Sequence, residues 1–455
     1  MTGKRSAGIR PWSARALAAI LVFSAAPAMG QDNRLPPGVD LESRYSKAGR
    51  PLIAIRPFSG PMGASGITQI SDIIQNDLTL SDRFEIFPVT AELAQPGPVQ
   101  FDVWNSLNVV FLITGDVTPT ANGFQLLLTA HDVVYGREKQ SGTFQIPASS
   151  HPNFRMAVHV ASDEIVRWLT GQPGMAATRV TFVRMNPQSY DLMIVDSDGE
   201  NLRRLAGNEG GLYGPAWSPD GSKIAHSEHV GSAWRLVERD VATGRTRVLA
   251  TGTLVTGPTY SPDGTKIYFG LDVPGRGAQG GTEIHEHDLA SGRNKRLTDS
   301  PFDNMLPTIS PDGRRMAFLS VRTGRQHIYV ANSDGTNARQ LTPSGERVQY
   351  NGPDWSPTSN QVAFHGQSRG SFQIMVADAT RPGGQVLQLT SRGENEDPSW
   401  APDGRHIVYT GTGADGNGLY VIDTRTGNIR ILVRGARLRY ADWSLSLAGA
   451  VSAVQ

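Results

Sequence analysis

The five residues WSPDG (217–221) decide the reading of this chain, because the chain repeats them. YSPDG follows from Tyr260, ISPDG from Ile309, WSPTS from Trp355 and WAPDG from Trp400, and a last relic, WSLSL, starts at Trp443. The serine position falls at Ser218, Ser261, Ser310, Ser356, Ala401 and Ser444, with successive gaps of 43, 49, 46, 45 and 43 residues. A period of about 40–50 residues with strand-like content is the signature of propeller blades of four strands each.

Each unit has the same internal order. A short β-rich run follows the motif, as in KIAHS (223–227) and RMAFLS (315–320). An alternating run comes next, as in WRLVERD (234–240) and HIYVANSDG (327–335). A last run such as TRVLAT (246–251) or QVLQLT (385–390) ends the unit. Upstream of the first motif stand RVTFVRM (179–185), DLMIVDSDG (191–199) and NLRRLAG (201–207), three strands that have no motif strand before them. Downstream of the last motif there is no second strand. The two ends therefore complete one blade, closed by the C-terminal strand, and the array has six blades and no exposed edge between its ends.

The same count explains the motif. An acid repeated in a short loop could bind a cation or act in catalysis, but in S-P-D-G proline sets φ for the second turn position, Asp suits the third, and Gly takes the positive φ that follows. That is hairpin chemistry, with the preceding Trp, Tyr or Ile packed between blades. The sixth copy leads into no second strand and loses Pro-Asp-Gly.

The N-terminal part differs. Lys4, Arg5, Arg10 and Arg15 precede the short apolar run ALAAILVFSAA (16–26) and the small residues of AMG (28–30). This is the pattern of a secretory signal peptide over 1–30, cleaved between Gly30 and Gln31. The apolar run is shorter than the ~20 residues that span a bilayer. Removing the leader takes the formal charge from +1 to −3, and nothing resembles a nucleic-acid surface. The chain has no Cys, which excludes disulfides and thiol chemistry. Residues 31–50 are polar and read as a flexible arm. Residues 51–171 read as a small α/β domain with a helix over 67–81, strands at 51–58, 83–88, 108–117, 124–134 and 141–146, and a second helix over 151–171 capped by Ser150 with Pro152 in its first turn. GQPG (171–174) is a linker, and 175–455 is the propeller.

Candidate catalytic features are sparse. GQSRG (366–370) matches a nucleophile-elbow pattern but lies between two strands with no helix after it. His285 and His287 share a strand face without an evident third ligand. ENED (394–397) reads as a solvated loop. We expect no catalytic residue, cofactor or metal. A peptidase-type propeller would need a hydrolase domain that no stretch here can house, and a lyase-type propeller would need clustered His or metal-binding carboxylates at the pore. The remaining surface is the set of loops that lead into each motif strand: 208–214, 253–257, 300–306, 345–352, 392–397 and 435–441. They carry Leu212, Tyr213, Leu254, Val255, Phe302, Met305, Leu306 and Tyr350 around the pore mouth, which suits a protein-docking surface.

The leader, the small α/β domain and six blades bearing AWSPDGSKIAHS (216–227) and SWAPDGRHIVYTG (399–411) resemble the TolB family of the Tol–Pal envelope system. GVD (38–40) ahead of RPLIAIRPF (50–58) resembles the start of the family's mature region. The resemblance implies a non-enzymatic periplasmic monomer, peripheral to membranes through its partners, with no nucleic-acid role. It implies binding of the peptidoglycan-associated lipoprotein Pal at the pore-mouth loops, at Tyr213, Gly214, Pro215, Leu254, Gly257, Asn304 and Met305, flanked by Leu212 and Tyr350. It implies binding of TolA through the arm, at Asp32, Leu35, Val39 and Asp40. Leu254 stands where the resemblance leads to a polar side chain.

Overall fold

The computed structural model describes residues 39–40, 49–61, 65–273, 281–344, 348–413 and 415–449, and all of them lie in one compact unit, Pro36–Gln455. The expected leader over 1–30, the expected cleavage pair Gly30 and Gln31, the arm positions Asp32 and Leu35, and residues 345–347 of one pore-mouth loop fall outside the described residues. Among the described residues no helix is long and apolar enough to cross a membrane.

The N-terminal domain is a mixed five-stranded sheet with helices packed on it. Leu52–Ile55 lies between two parallel neighbours, Glu85–Phe87 and Phe111–Thr120, and the sheet continues antiparallel through Gly123–Asp132 and Arg137–Pro147. Helix α1 (Ser65–Leu80) buries Ile70, Ile74 and Leu78, spaced four apart, against this sheet. A short helix, α2 (Phe101–Ser106), which sequence pattern does not reveal, buries Trp104 beside Ala54 and Leu112. Helix α3 (Phe154–Thr170) starts later than expected. Neither Ser150 nor Pro152 opens it, because residues 151–154 form a separate turn in which Phe154 N–H donates to His151 O at 3.0 Å. The helix ends at Gly171, whose φ of 70° is a left-handed cap.

The rest is six four-stranded blades. The first five run Leu212–Gly252, Val255–Arg296, Asn304–Gln340, Tyr350–Gln388 and Asn395–Arg434, each with its strands in chain order. The closing blade takes its innermost strand, Leu438–Trp443, from the C-terminus and the other three, Arg179–Met185, Tyr190–Asp196 and Arg203–Asn208, from before the first blade. The expected closure is present, with Trp443 facing Val180 and Leu438 facing Arg184.

The motif is the turn between the first two strands of a blade. Gly221 N–H donates to Ser218 O at 2.9 Å, with Gly221 at φ 69°, and Lys223 N–H donates to Ser218 Oγ at 2.9 Å. Asp220 accepts from Ser218 Oγ and from the Ser222 N–H, which closes the loop on itself. The residue before the serine fills the space between blades: Trp217 packs with Val183 and Leu192, Tyr260 with Ala225 and Leu236, Ile309 with Tyr268 and Ile284. Burying side chains of this size stabilises by roughly 1.5–3 kcal/mol or more each.

The N-terminal domain sits on the turn face of the propeller, opposite the pore-mouth loops. Two polar joints hold it. In the first, His159 Nδ1 pairs with Asp77 of α1 at 2.8 Å, while its Nε2 lies 3.7 Å from Asp198 in a turn of the closing blade. Burial opposes a charge on His159, and the two carboxylates outweigh it, raising its pKa to about 9. In the second, the WAPDG copy changes its task. Its serine is replaced by buried Ala401, and Asp403 Oδ1 accepts the His406 N–H that the serine hydroxyl would take. Asp403 Oδ2 then binds His406 Nδ1 at 2.8 Å and Arg83 of the N-terminal domain at 3.3 Å. Burial works against its charge, but those cations keep the carboxyl well below its usual range. Leu447 completes the contact by inserting the C-terminus into the N-terminal core.

Of the arm, Val39 and Asp40 form a two-residue strand parallel to Val386 and Leu387, on the outer edge of the fourth blade.

Candidate functional site: the pore-mouth ring

The innermost strands read LYGPAW, VTGPTY, NMLPTI, YNGPDW, NEDPSW and LRYADW. Each is bulged, with two residues that have no partner on the second strand. The six positions of the strand do different things.

The first position turns away from the pore into the inter-blade core: Leu212, Val255, Asn304, Tyr350, Asn395 and Leu438 are all buried. Leu212, Asn304 and Tyr350, expected at a partner contact, are therefore withdrawn from the surface. Asn304 is bound to Glu283, Ser300 and Arg322, and Tyr350 packs on His327 and Phe364. Leu254 is half-buried in the loop before its strand, and Phe302 is exposed beside it in the next.

The second position lines the pore in four blades, as Tyr213, Asn351, Glu396 and Arg439, and with the third it forms the ring. Thr256 is buried, and Met305, expected at a partner contact, is half-buried beside Gly270 of the second blade and does not line the cavity. Tyr213, Gly214, Pro215, Gly257 and Leu306 line a cavity of about 220 Å³, together with Glu396, Asp397, Arg439 and Tyr440. The third position has positive φ in every blade: Gly214 53°, Gly257 40°, Leu306 53°, Gly352 60°, Asp397 53° and Tyr440 57°. Glycine supplies this at little cost, whereas Leu and Tyr do not. The conformation turns the chain so that neighbouring strands nearly touch: a Cβ on Gly214 would lie 3.2 Å from Gly257 Cα, and one on Gly257 would lie 3.2 Å from Leu306 Cα. Tyr440 packs against Tyr213 with centroids 4.2 Å apart and ring planes tilted by 50°.

Arg439 organises the charged side of the ring. Its guanidinium grips Glu396 at 2.8 Å and Asp397 at 2.8 Å. Asp397 N–H donates to His365 Nδ1 at 3.1 Å, which leaves the proton on Nε2. Burial pushes the His365 pKa down to about 4, so this ring is neutral at physiological pH. His365, Glu396 and Asp397 bring potential ligand atoms within 4.8 Å of one another, but Arg439 already occupies both carboxylates.

The fifth position staples blades together. Thr308 Oγ1 accepts the Trp355 N–H at 3.1 Å, Asp354 Oδ2 that of Trp400 at 2.7 Å, Ser399 Oγ that of Trp443 at 3.1 Å, and Asp442 Oδ2 that of Trp217 at 2.7 Å. Asp354 and Asp442 are half-buried and line the cavity. Burial raises Asp354 to about 6 and, with Asp354 adding like charge, drives Asp442 well above the carboxylate range.

The sequence reading missed Asn351, Glu396, Arg439, Asp354 and Asp442. The signal was available: Pro215, Pro258, Pro307, Pro353 and Pro398 each stand three residues before the motif serine or its alanine replacement, which marks one recurring strand position. Conversely, His287 Nδ1 is bound to Asn294 Oδ1 at 2.7 Å and His285 Nδ1 to Glu283 O at 3.0 Å. Ser368 ends a strand in a two-residue hairpin, with no nucleophile elbow around it.

Known proteins match on both parts of the chain. The family model for the TolB beta propeller domain matches residues 166–447, and that for the TolB amino-terminal domain matches residues 45–139. The Tol-Pal system protein TolB of Acinetobacter baylyi is 30% identical over 243 residues, 51% of this chain and 54% of that one. Its counterpart in Actinobacillus succinogenes is 32% identical over 205 residues, 44% of this chain and 47% of that one. The chain thus spans about half the length of the curated relatives it matches. The crystal structure of TolB from Acinetobacter baumannii superposes with a TM-score of 0.75 at 27% identity, over 87% of this chain and 97% of that one.

Proposed function

The chain belongs to the TolB family, and from that premise we propose that it is a non-enzymatic periplasmic scaffold of the Tol–Pal system. It docks the lipoprotein Pal at the pore-mouth ring and TolA through the arm over 31–50, and so supports outer-membrane integrity and constriction during division. The observation that carries the docking site is the ring itself. Six equivalent positions hold left-handed backbone, and two of them spend that strain on Leu306 and Tyr440 rather than glycine. Strained residues kept at a cavity rim are a mark of a recognition site.

The arm and the ring are the two edges of one sheet. Val39 and Asp40 extend the fourth blade at its outer strand, and Tyr350–Trp355 is that blade's inner strand, lining the pore. A docked and a free arm are therefore two states that a ligand at the pore can bias, which is the requirement for coupling between sites.

Titration of purified mature protein with Pal, for wild type and for Tyr213→Ala and Tyr440→Ala, tests the docking site. Wild-type binding that both substitutions weaken is expected. Unchanged binding by both variants would remove the ring from the interface, and turnover of a peptide or glycan would replace the scaffold reading with an enzymatic one.

A further inference from the structure

Nine non-glycine residues have positive φ among the described residues. Five are Asn or Asp, the types that tolerate this conformation: Asp82, Asn108, Asn201, Asn337 and Asp397. The other four are Leu306, Tyr440, Arg369 and Arg437, and all four lie at the pore mouth or on the rim around it. Leu306 and Tyr440 belong to the ring. The two arginines do not, and nothing so far accounts for them.

Arg369 occupies the first loop position of the two-residue hairpin between Ser368 and Ser371, at φ 52°, followed by Gly370 at φ 91°. Such a turn asks for Asn-Gly. Arg437 sits in the loop entering the last inner strand, at φ 58°, where its carbonyl accepts the Met185 N–H at 3.0 Å. Both side chains are exposed, and neither makes an ion pair among the described residues. Arg392, in the loop entering the fifth blade, and Arg325, in a loop of the third, are likewise exposed and without an ion pair among the described residues. Hydrogen bonds set these loops in order around the rim. Tyr350 N–H donates to Gln326 O, Phe372 N–H to Glu394 Oε2, and Gly435 N–H to Asn417 O. Among the described residues two nearby acids are engaged: Glu394 accepts that Phe372 N–H, and Asp415 holds Arg434.

We propose that Arg325, Arg369, Arg392 and Arg437 form a basic arc over the third to closing blades that captures a carboxylate-bearing face of the protein partner docked on the pore mouth. The proposal rests on the pore-mouth docking reading above and specifies the chemistry of that partner. A solvated surface arginine gains nothing from a left-handed backbone that glycine or asparagine would hold at lower cost. An arginine that must present its guanidinium from a tight turn does. Four cations without an ion pair among the described residues, around a ring that carries Tyr213, Leu306 and Tyr440, fit a protein face, since arginine pairs with carboxylates in two-pronged geometry while the ring's aromatic and apolar groups supply the buried centre. Their main effect is on the rate of encounter.

The test uses the full mature chain and Pal as the probe. Association and dissociation rates are measured for wild type and for the triple variant Arg369→Gly, Arg392→Gln, Arg437→Gly, at about 10 mM and about 150 mM salt, where the screening length falls from about 30 Å to about 8 Å. Wild-type association is expected to slow about tenfold between the two salts, and the variant to lose most of that dependence with little change in dissociation. The glycine substitutions relieve strain, so the Tm of the variant is expected to equal or exceed that of wild type. A variant with wild-type rates and wild-type salt dependence overturns the arc while leaving the docking reading intact. A wild type that does not bind Pal overturns the docking reading and the arc with it. Capture of wild type, but not of the variant, by vesicles with about a third anionic phospholipid, without a change in the Pal rates, reassigns the arc to a lipid surface and overturns the proposal.

Discussion

The Arg179 N–H donates to Ser444 Oγ at 2.9 Å, and Ser444 N–H donates to Arg179 O at 2.8 Å. Lys223 and Ser218 make the same two bonds, at 2.9 and 2.9 Å, inside one hairpin. The truncated sixth motif has therefore kept its serine clasp and moved its partner from five residues away to the other end of the propeller. Pro-Asp-Gly could be lost because it serves only the loop. The serine could not, because it joins the strands.

Replacing Ser444 by Ala leaves the Arg179 N–H buried without its side-chain partner and is expected to cost about 1–3 kcal/mol in urea unfolding. Ser218→Ala at the equivalent local turn is the control, with an equal or smaller loss. Deleting residues 438–455 should do far more. It strips the closing blade to three strands and exposes the edge of Arg179–Met185 to other chains. Loss of the cooperative transition, with concentration-dependent assembly by light scattering, is the expected outcome, and a monomer of wild-type stability would contradict the closure.

The blades were legible because a turn motif recurs at a nearly constant interval and because strand types can be counted on either side of it. What lay beyond reach has physical causes. The pore side chains at the second strand position, Tyr213, Asn351, Glu396 and Arg439, share no chemistry, so only their offset from the motif could align them. Leu212 and Tyr350 look like exposed loop apolar groups in sequence, yet the bulge after them turns them into the inter-blade core. The joint at Asp403 was hidden inside a motif copy that reads as an ordinary turn. The arm gives no strand signal, since a two-residue pairing has no period to detect.

The ring is expected to reject side chains where it uses glycine. Gly257→Ala places a methyl against Leu306 and forces a left-handed alanine at φ 40°. A loss of about 2 kcal/mol in thermal or urea unfolding is expected from the conformational cost together with the overlap. Gly231→Ala, at φ 65° with open space around it, pays only the first part and should cost about 1 kcal/mol.

Among the described residues Arg439 is the one cation that joins Glu396 and Asp397 at the pore wall. Arg439→Met would leave two adjacent carboxylates unpaired. A destabilisation of about 2 kcal/mol is expected, below the value for a fully buried pair because these side chains keep 11–29% of their exposure. Adding Glu396→Gln removes one of the stranded charges and should restore about half of the loss. A double-mutant cycle with no coupling between the two positions would show that the network does not hold the pore wall.

The domain joint at His159 predicts a loss of stability in alkali. Its folded pKa of about 9 lies above the ordinary 6.5, so the native state binds the proton more tightly than the unfolded state. The contribution is fully present below about pH 6.5 and is lost as the pH rises through about 9; its size is on the order of 3 kcal/mol. His159→Gln should flatten the fall of stability between about pH 7 and pH 10, while lowering stability at neutral pH. Parallel curves for variant and wild type would place the alkaline loss elsewhere.

The fourth blade predicts how the two ends of the molecule communicate. A partner docked at the pore as proposed would meet Asn351 and Gly352 on its inner strand, and Val39 and Asp40 of the arm pair at Val386 and Leu387 on its outer one. If seating a ligand at the inner edge alters the outer edge, TolA affinity must differ between the free protein and its Pal complex, and Pal affinity must shift by the same factor with and without TolA. Deletion of residues 31–42 removes Val39 and Asp40; it should abolish TolA binding and leave Pal binding within about threefold of wild type. Val386→Pro offers a milder break, because proline has no N–H to give to the pairing at the blade edge. It should free the arm without removing it, so that TolA affinity rises and its dependence on Pal shrinks. Equal TolA affinity in the presence and absence of Pal, measured on wild type by calorimetry, would mean that the two edges of the blade act independently.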